Sequence, residues 1–142
     1  MGVATGLFEP GLPATLDHNE TIEIKDRIEN IAGTAITASG FNCKIIIRNS
    51  TIHADKLVVA EGNAEITIIN STIETTGNTL ELAVNPKIRI LDNSKVISKN
   101  GVVIKDGTNL KLEMKNSVIQ GAQGAIDMDN NGEFRISEKS EI

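Results

Sequence analysis

The sequence predicts an all-β chain wound as a solenoid of parallel strands, and three observations carry that expectation. The first is a motif. Asn49-Ser50-Thr51-Ile52 recurs as Asn70-Ser71-Thr72-Ile73, Asn93-Ser94-Lys95-Val96 and Asn116-Ser117-Val118-Ile119, with Lys139-Ser140-Glu141-Ile142 as a degraded fifth copy. The second is its period. Successive copies start 21, 23, 23 and 23 residues apart, which is the range of repeats that stack on one another. The third is composition. Of 142 residues, 39% are hydrophobic but only 2% aromatic, with no Trp or Tyr. The core must then be built from Ile, Val, Leu and Ala, and β-branched residues favour strands.

Each repeat resolves into the same elements. Before each Asn-Ser stands an alternating run: Ile45-x-Ile47, Ile66-x-Ile68, Ile88-x-Ile90, Leu110-x-Leu112-x-Met114 and Phe134-x-Ile136. Alternation places one face inward and one outward, the signature of a strand. After each Asn-Ser comes a short strand around the next Ile or Val. A turn and a third apolar run follow, as in Gly33-Thr34-Ala35-Ile36, Gly77-Asn78-Thr79-Leu80, Gly101-Val102-Val103-Ile104 and Gly124-Ala125-Ile126. Around position 55 the equivalent stretch is Asp55-Lys56-Leu57-Val58-Val59. An earlier, less regular coil begins at Thr21-Ile22-Glu23-Ile24-Lys25, with Asp26 in the corner slot.

The Asn-Ser pair marks a corner. Asn tolerates the left-handed backbone that a sharp turn requires. Stacked about 4.8 Å apart, Asn49, Asn70, Asn93 and Asn116 are expected to hydrogen-bond along a column through their side-chain amides. The count from residue 20 onward is five to six coils of 21 to 23 residues, a rod of about 25 Å.

Three strands per coil at this period resemble the right-handed parallel β-helix, the pectate-lyase-like architecture. A left-handed hexapeptide solenoid would need an aliphatic residue at every sixth position, and that pattern is absent. The resemblance covers residues 20–142, the expected β-helix domain. Residues 1–19 are expected to form an N-terminal arm or cap. The resemblance implies a fold, and a fold alone does not imply an activity.

Charge and composition narrow the function classes. The net charge is −5, no basic run exists and aromatics are nearly absent, so nucleic acid is not expected as a partner. No apolar run reaches membrane-spanning length, and "MGVATGLFEPGLPATLDHNE" lacks a signal-peptide pattern. No membrane partner and a cytoplasmic location are therefore expected. The single cysteine, Cys43, shares the even spacing of Ile45 and Ile47, which places it in the core as a structural thiol.

One stretch has metal-ligand character. Asp127 to Glu138, "DMDNNGEFRISE", matches the EF-hand calcium loop, with Asp127, Asp129 and Asn131 at positions 1, 3 and 5, Gly132 at 6 and Glu138 at 12. The stretch also falls in phase with the solenoid. Putting Phe134 and Ile136 into the core carries Glu138 away from Asp127, which leaves Asp127, Asp129 and Asn131 as the calcium candidates. No other cofactor is expected.

Catalytic signals are weaker. The lyases and hydrolases that this fold resembles carry carboxylate clusters with a Lys or Arg on a strand face. Here Asp92 and Asp106 are isolated corner carboxylates, and Lys87 and Arg89 have no acidic cluster in register with them. No catalytic residue is assigned and no enzyme is expected. His18 and His53 lie more than one coil apart and lack a third ligand for zinc. The outward positions Glu23, Ile46, Thr67, Arg89 and Arg135 differ in character, so no ligand stripe is expected.

Assembly is the remaining reading. A parallel solenoid presents unpaired backbone at its ends, and Ile142 falls inside the last coil. The expectation is a non-catalytic structural module that forms homo-oligomers through its coil ends or its N-terminal arm. The alternative is a carbohydrate-interacting β-helix, lyase-like or tail-spike-like, with calcium at Asp127 and Asp129.

Overall fold

The computed structural model describes residues 11–128 and 132–142. Among them there is no helix; the chain runs through seventeen strands in three parallel sheets. Sheet 1 holds β2 (Thr21–Lys25), β5 (Cys43–Arg48), β8 (Ala64–Ile69), β11 (Lys87–Leu91), β14 (Leu110–Lys115) and β17 (Gly132–Ser137). Sheet 2 holds the short strands β3 (Ile28–Asn30), β6 (Thr51–Ala54), β9 (Thr72–Thr75), β12 (Lys95–Ser98) and β15 (Val118–Gly121). Sheet 3 holds β1 (Ala14–Leu16), β4 (Thr34–Ala38), β7 (Lys56–Ala60), β10 (Leu80–Val84), β13 (Ile104–Thr108) and β16 (Ile126–Asp127). The chain visits sheets 1, 2 and 3 in turn and pairs each strand with the one a coil away, which makes a parallel β-helix.

Register explains why alternation was visible in the sequence. In sheet 1 one inward row runs Ile22, Ile45, Ile66, Ile88, Leu112, Phe134, and a second runs Ile24, Ile47, Ile68, Ile90, Met114, Ile136. The spacings along the first row are 23, 21, 22, 24 and 22 residues, nearly the same mean period as the motif with a slightly larger spread. The inward row of sheet 2 is Glu29, Ile52, Ile73, Val96, Ile119. Stacking like on like fills the interior with aliphatic side chains, and from Ile22 through Met114 both sheet 1 rows are essentially fully buried.

The two ends differ. At the first coil Glu29 takes the slot that Ile or Val holds below it, and Arg27 stands 3.7 Å from its carboxylate. Within the segment expected as an arm or cap, Ala14–Leu16 forms β1 and hydrogen-bonds in coil register to β4. Residues 1–10 lie outside the described residues. At the other end, Phe134 and Ile136 in β17 are each 44% exposed. Cys43 is fully buried, as expected, and burial pushes its thiol pKa up.

Candidate functional site

The corner between sheets 1 and 2 carries two columns with different environments. The four Asn have positive φ, at 48°, 46°, 65° and 53° for Asn49, Asn70, Asn93 and Asn116. Asp26, in the slot above them, has φ 56°. Asn70 Nδ2 donates to Asn49 Oδ1 at 2.8 Å, and Asn116 Nδ2 donates to Asn93 Oδ1 at 2.8 Å. The column is thus two pairs rather than one run of four. Register supplies the reason. Leu91 faces Ile69 and Lys95 faces Thr72, so this corner holds one residue more than the corner above it. Asp92 and Asn93 both adopt the left-handed conformation there, and the aspartate has no amide to donate.

The neighbouring serines make the continuous column. The backbone N–H groups of Arg27, Ser50, Ser71, Ser94 and Ser117 donate to the hydroxyls of Ser50, Ser71, Ser94, Ser117 and Ser140, at 3.1 to 3.2 Å. Each hydroxyl then donates to a carbonyl two or three residues back in its own coil, such as Ile69 O and Leu91 O at 2.8 Å. Ser50, Ser71, Ser94 and Ser117 are buried. The sequence carried this signal, because Ser persists even in the degraded fifth copy.

A second asparagine column was also missed. Asn19, Asn42, Asn63, Asn85 and Asn109 line the corner that leads into sheet 1. Asn109 Nδ2 donates to Asn85 Oδ1 at 3.2 Å. The legible signal was an Asn one or two residues before each sheet 1 strand. The serine column satisfies backbone N–H groups, and the asparagine columns turn the chain. Among the described residues every buried side-chain nitrogen or oxygen has a hydrogen-bond partner, so no orphaned polar group marks a ligand site in the core.

Of the three calcium candidates, only Asp127 lies among the described residues. Asp127 lies in β16, and its Oδ2 accepts from Lys105 Nζ at 2.7 Å. Asp129 and Asn131 lie outside the described residues. Glu138 stands past β17, with Lys115 Nζ 3.9 Å from its carboxylate. Among the described residues no group of three His, Cys, Asp or Glu is placed to hold a metal ion.

The outer faces hold the remaining chemistry. On sheet 1, Lys87 and Arg89 point outward from β11, and Arg89 Nε lies 3.3 Å from Glu113 Oε1 one coil below. Glu113 is a single carboxylate in register with Arg89, not an acidic cluster. Lys87, Arg89, Lys111, Glu113, Glu133 and Arg135 line a shallow groove across β11, β14 and β17. On sheet 2, His53 Nε2 lies 3.4 Å from Glu74 Oε1, and Lys99 Nζ lies 3.7 Å from the same oxygen. His53 and Lys99 thus meet Glu74 across neighbouring coils. His18 stacks on Phe41 with ring centroids 5.4 Å apart, and its Nδ1 accepts the Phe41 N–H.

Two carboxylates are tuned by neighbours. The Thr76 hydroxyl and the Gly33 N–H both donate to Asp55 and hold its pKa below the usual range. At Glu81 burial alone would raise the carboxyl. Hydrogen bonds from Lys56 and Asn78 outweigh it, and the pKa is lowered. Both groups are engaged across the coils, Glu81 also from the turn that leads into β10, which suits cohesion between coils more than acid–base chemistry. Comparison with family models, with curated proteins and with solved structures finds no match.

Proposed function

We propose that this chain is a non-catalytic β-helix module that works by self-association. One observation carries the reading. The inward rows of sheet 1 are buried in every coil down to Leu112 and Met114, and they surface only at Phe134 and Ile136 of β17. An unpaired strand edge beside exposed apolar side chains is a ready template for another chain. At the first coil the exposed apolar residue is Ile28, which stands between the charged Arg27 and Glu29 and belongs to no inward row. Light scattering on the full chain over a range of concentrations tests the reading. A mass above one chain is expected, and a monomer at every concentration overturns it.

The alternative reading, a carbohydrate-interacting β-helix, is supported by the groove of Lys87, Arg89, Lys111, Glu113, Glu133 and Arg135. Its mixed cations and carboxylates suit hydroxyl-rich ligands. Binding to a panel of neutral and acidic oligosaccharides, with and without calcium, tests it.

A further inference from the structure

We propose that the outer face of sheet 1 docks against the carboxylate-bearing corners of a second copy of this chain, so that the rods associate side by side. The proposal rests on the self-association reading and adds a lateral surface to the β17 edge.

Charge is distributed unevenly over the molecule. The outward positions of sheet 1 hold eight of the 14 Lys and Arg but only four of the 19 Asp and Glu. That face has four positive charges in excess on a chain whose net charge is −5, which leaves nine negative charges in excess elsewhere. Part of the face is neutralised internally, since Arg48 Nε meets Glu23 Oε2 at 2.9 Å and Arg89 meets Glu113. Lys25, Lys44, Lys87, Lys111 and Arg135 make no ion pair among the described residues.

The corners on either side of this face carry exposed carboxylates. Asp26 and Asp92 stand at the corner toward sheet 2, and Glu61 stands at the corner from sheet 3. None of the three makes an ion pair among the described residues. Cationic face and acidic corners thus complement each other, yet no ion pair joins them within one rod among the described residues, which leaves both free to meet between copies. Two sheet 1 faces would repel each other. The contact therefore joins unlike surfaces, and such contacts extend into open arrays rather than closing into a dimer. The glutamates interleaved on the face, Glu65, Glu113 and Glu133, oppose a dense foreign polyanion.

Sedimentation velocity on the full chain at about 0.01 M and about 1 M salt tests the proposal, because the Debye length falls from about 30 Å to about 3 Å between them. Two variants go with it. The first is Lys87→Gln/Lys111→Gln/Arg135→Gln. The second is Asp26→Asn/Glu61→Gln/Asp92→Asn, which keeps residues tolerant of the positive φ at 26 and 92. Salt-sensitive association of the natural chain is expected, at least tenfold weaker at high salt. Each variant alone should lose it. An equimolar mixture should regain a two-component complex, since one variant keeps the carboxylates and the other the cations. Association of unchanged strength at both salt concentrations and in both variants overturns this surface while leaving self-association through the β17 edge standing. A monomer under all conditions overturns both. Capture of poly-glutamate by sheet 1 without self-association overturns the proposal in favour of a foreign polyanion.

Discussion

Two columns share the corner between sheets 1 and 2, and they are built on different physics. The asparagines sit in water, with φ near +50° and side-chain amides bonded in two separate pairs. The serines one residue later sit in the core, and each hydroxyl accepts a backbone N–H from the coil above while donating to a carbonyl of its own coil. An exposed hydrogen bond replaces one to water and changes little. A buried N–H that loses its only acceptor pays the full cost of desolvation. Asn therefore contributes mainly by backbone conformation, and Ser by hydrogen bonding.

Breaking that contrast gives predictions of decreasing size. Ser94→Ala removes the acceptor for the Ser71 N–H and the donor to Leu91 O. It should lower stability by about 1–3 kcal/mol, read from urea unfolding midpoints; a change within error would place the serine column on a par with the exposed one. Asn70→Ala should cost about 1–2 kcal/mol, because a Cβ in the left-handed region is strained. Asn70→Gly, which loses the same amide bond without the strain, should cost only a few tenths. Equal losses for Ala and Gly would mean that the amide pair, not the backbone, matters. Ser140→Ala repeats the serine deletion where the column is half-exposed, and it should cost less than about 1 kcal/mol.

The smallest effect concerns Glu81. Its folded-state pKa is lowered, so its contribution to stability is present above the ordinary carboxylate pKa. That contribution fades as pH falls through the lowered value. Glu81→Gln should flatten the acid limb of a stability-against-pH curve slightly and leave the neutral plateau shifted down. An unchanged acid limb would show that the Lys56 and Asn78 bonds are too solvated to count.

Much of the architecture was legible because stacking makes one coil's pattern repeat in the next. Ile45 and Ile47 could be assigned inward from their own alternation, and their coil partners Ile66 and Ile68 followed from the period. Cys43 went into the core by the same reasoning. Site assignments fared differently. Asp127, one of three calcium candidates, is engaged by Lys105 from the strand above, a contact that depends on register between β13 and β16. Arg89 found Glu113 in the same way, 24 residues ahead. A motif read along the chain does not see such partners, because they lie at about 4.8 Å only after the coils stack.

The sequence by itself determined the period, the three strands of each coil and the side chains that turn inward. These follow from local alternation and from corner residues whose backbone preferences act within a few positions. Only the tertiary structure decided which hydroxyls satisfy which buried amides and where the asparagine column divides. It also decided which charges meet across neighbouring coils. Those outcomes depend on coil-to-coil register, and one additional residue at Asp92-Asn93 shifts the corner without disturbing the pattern on either side.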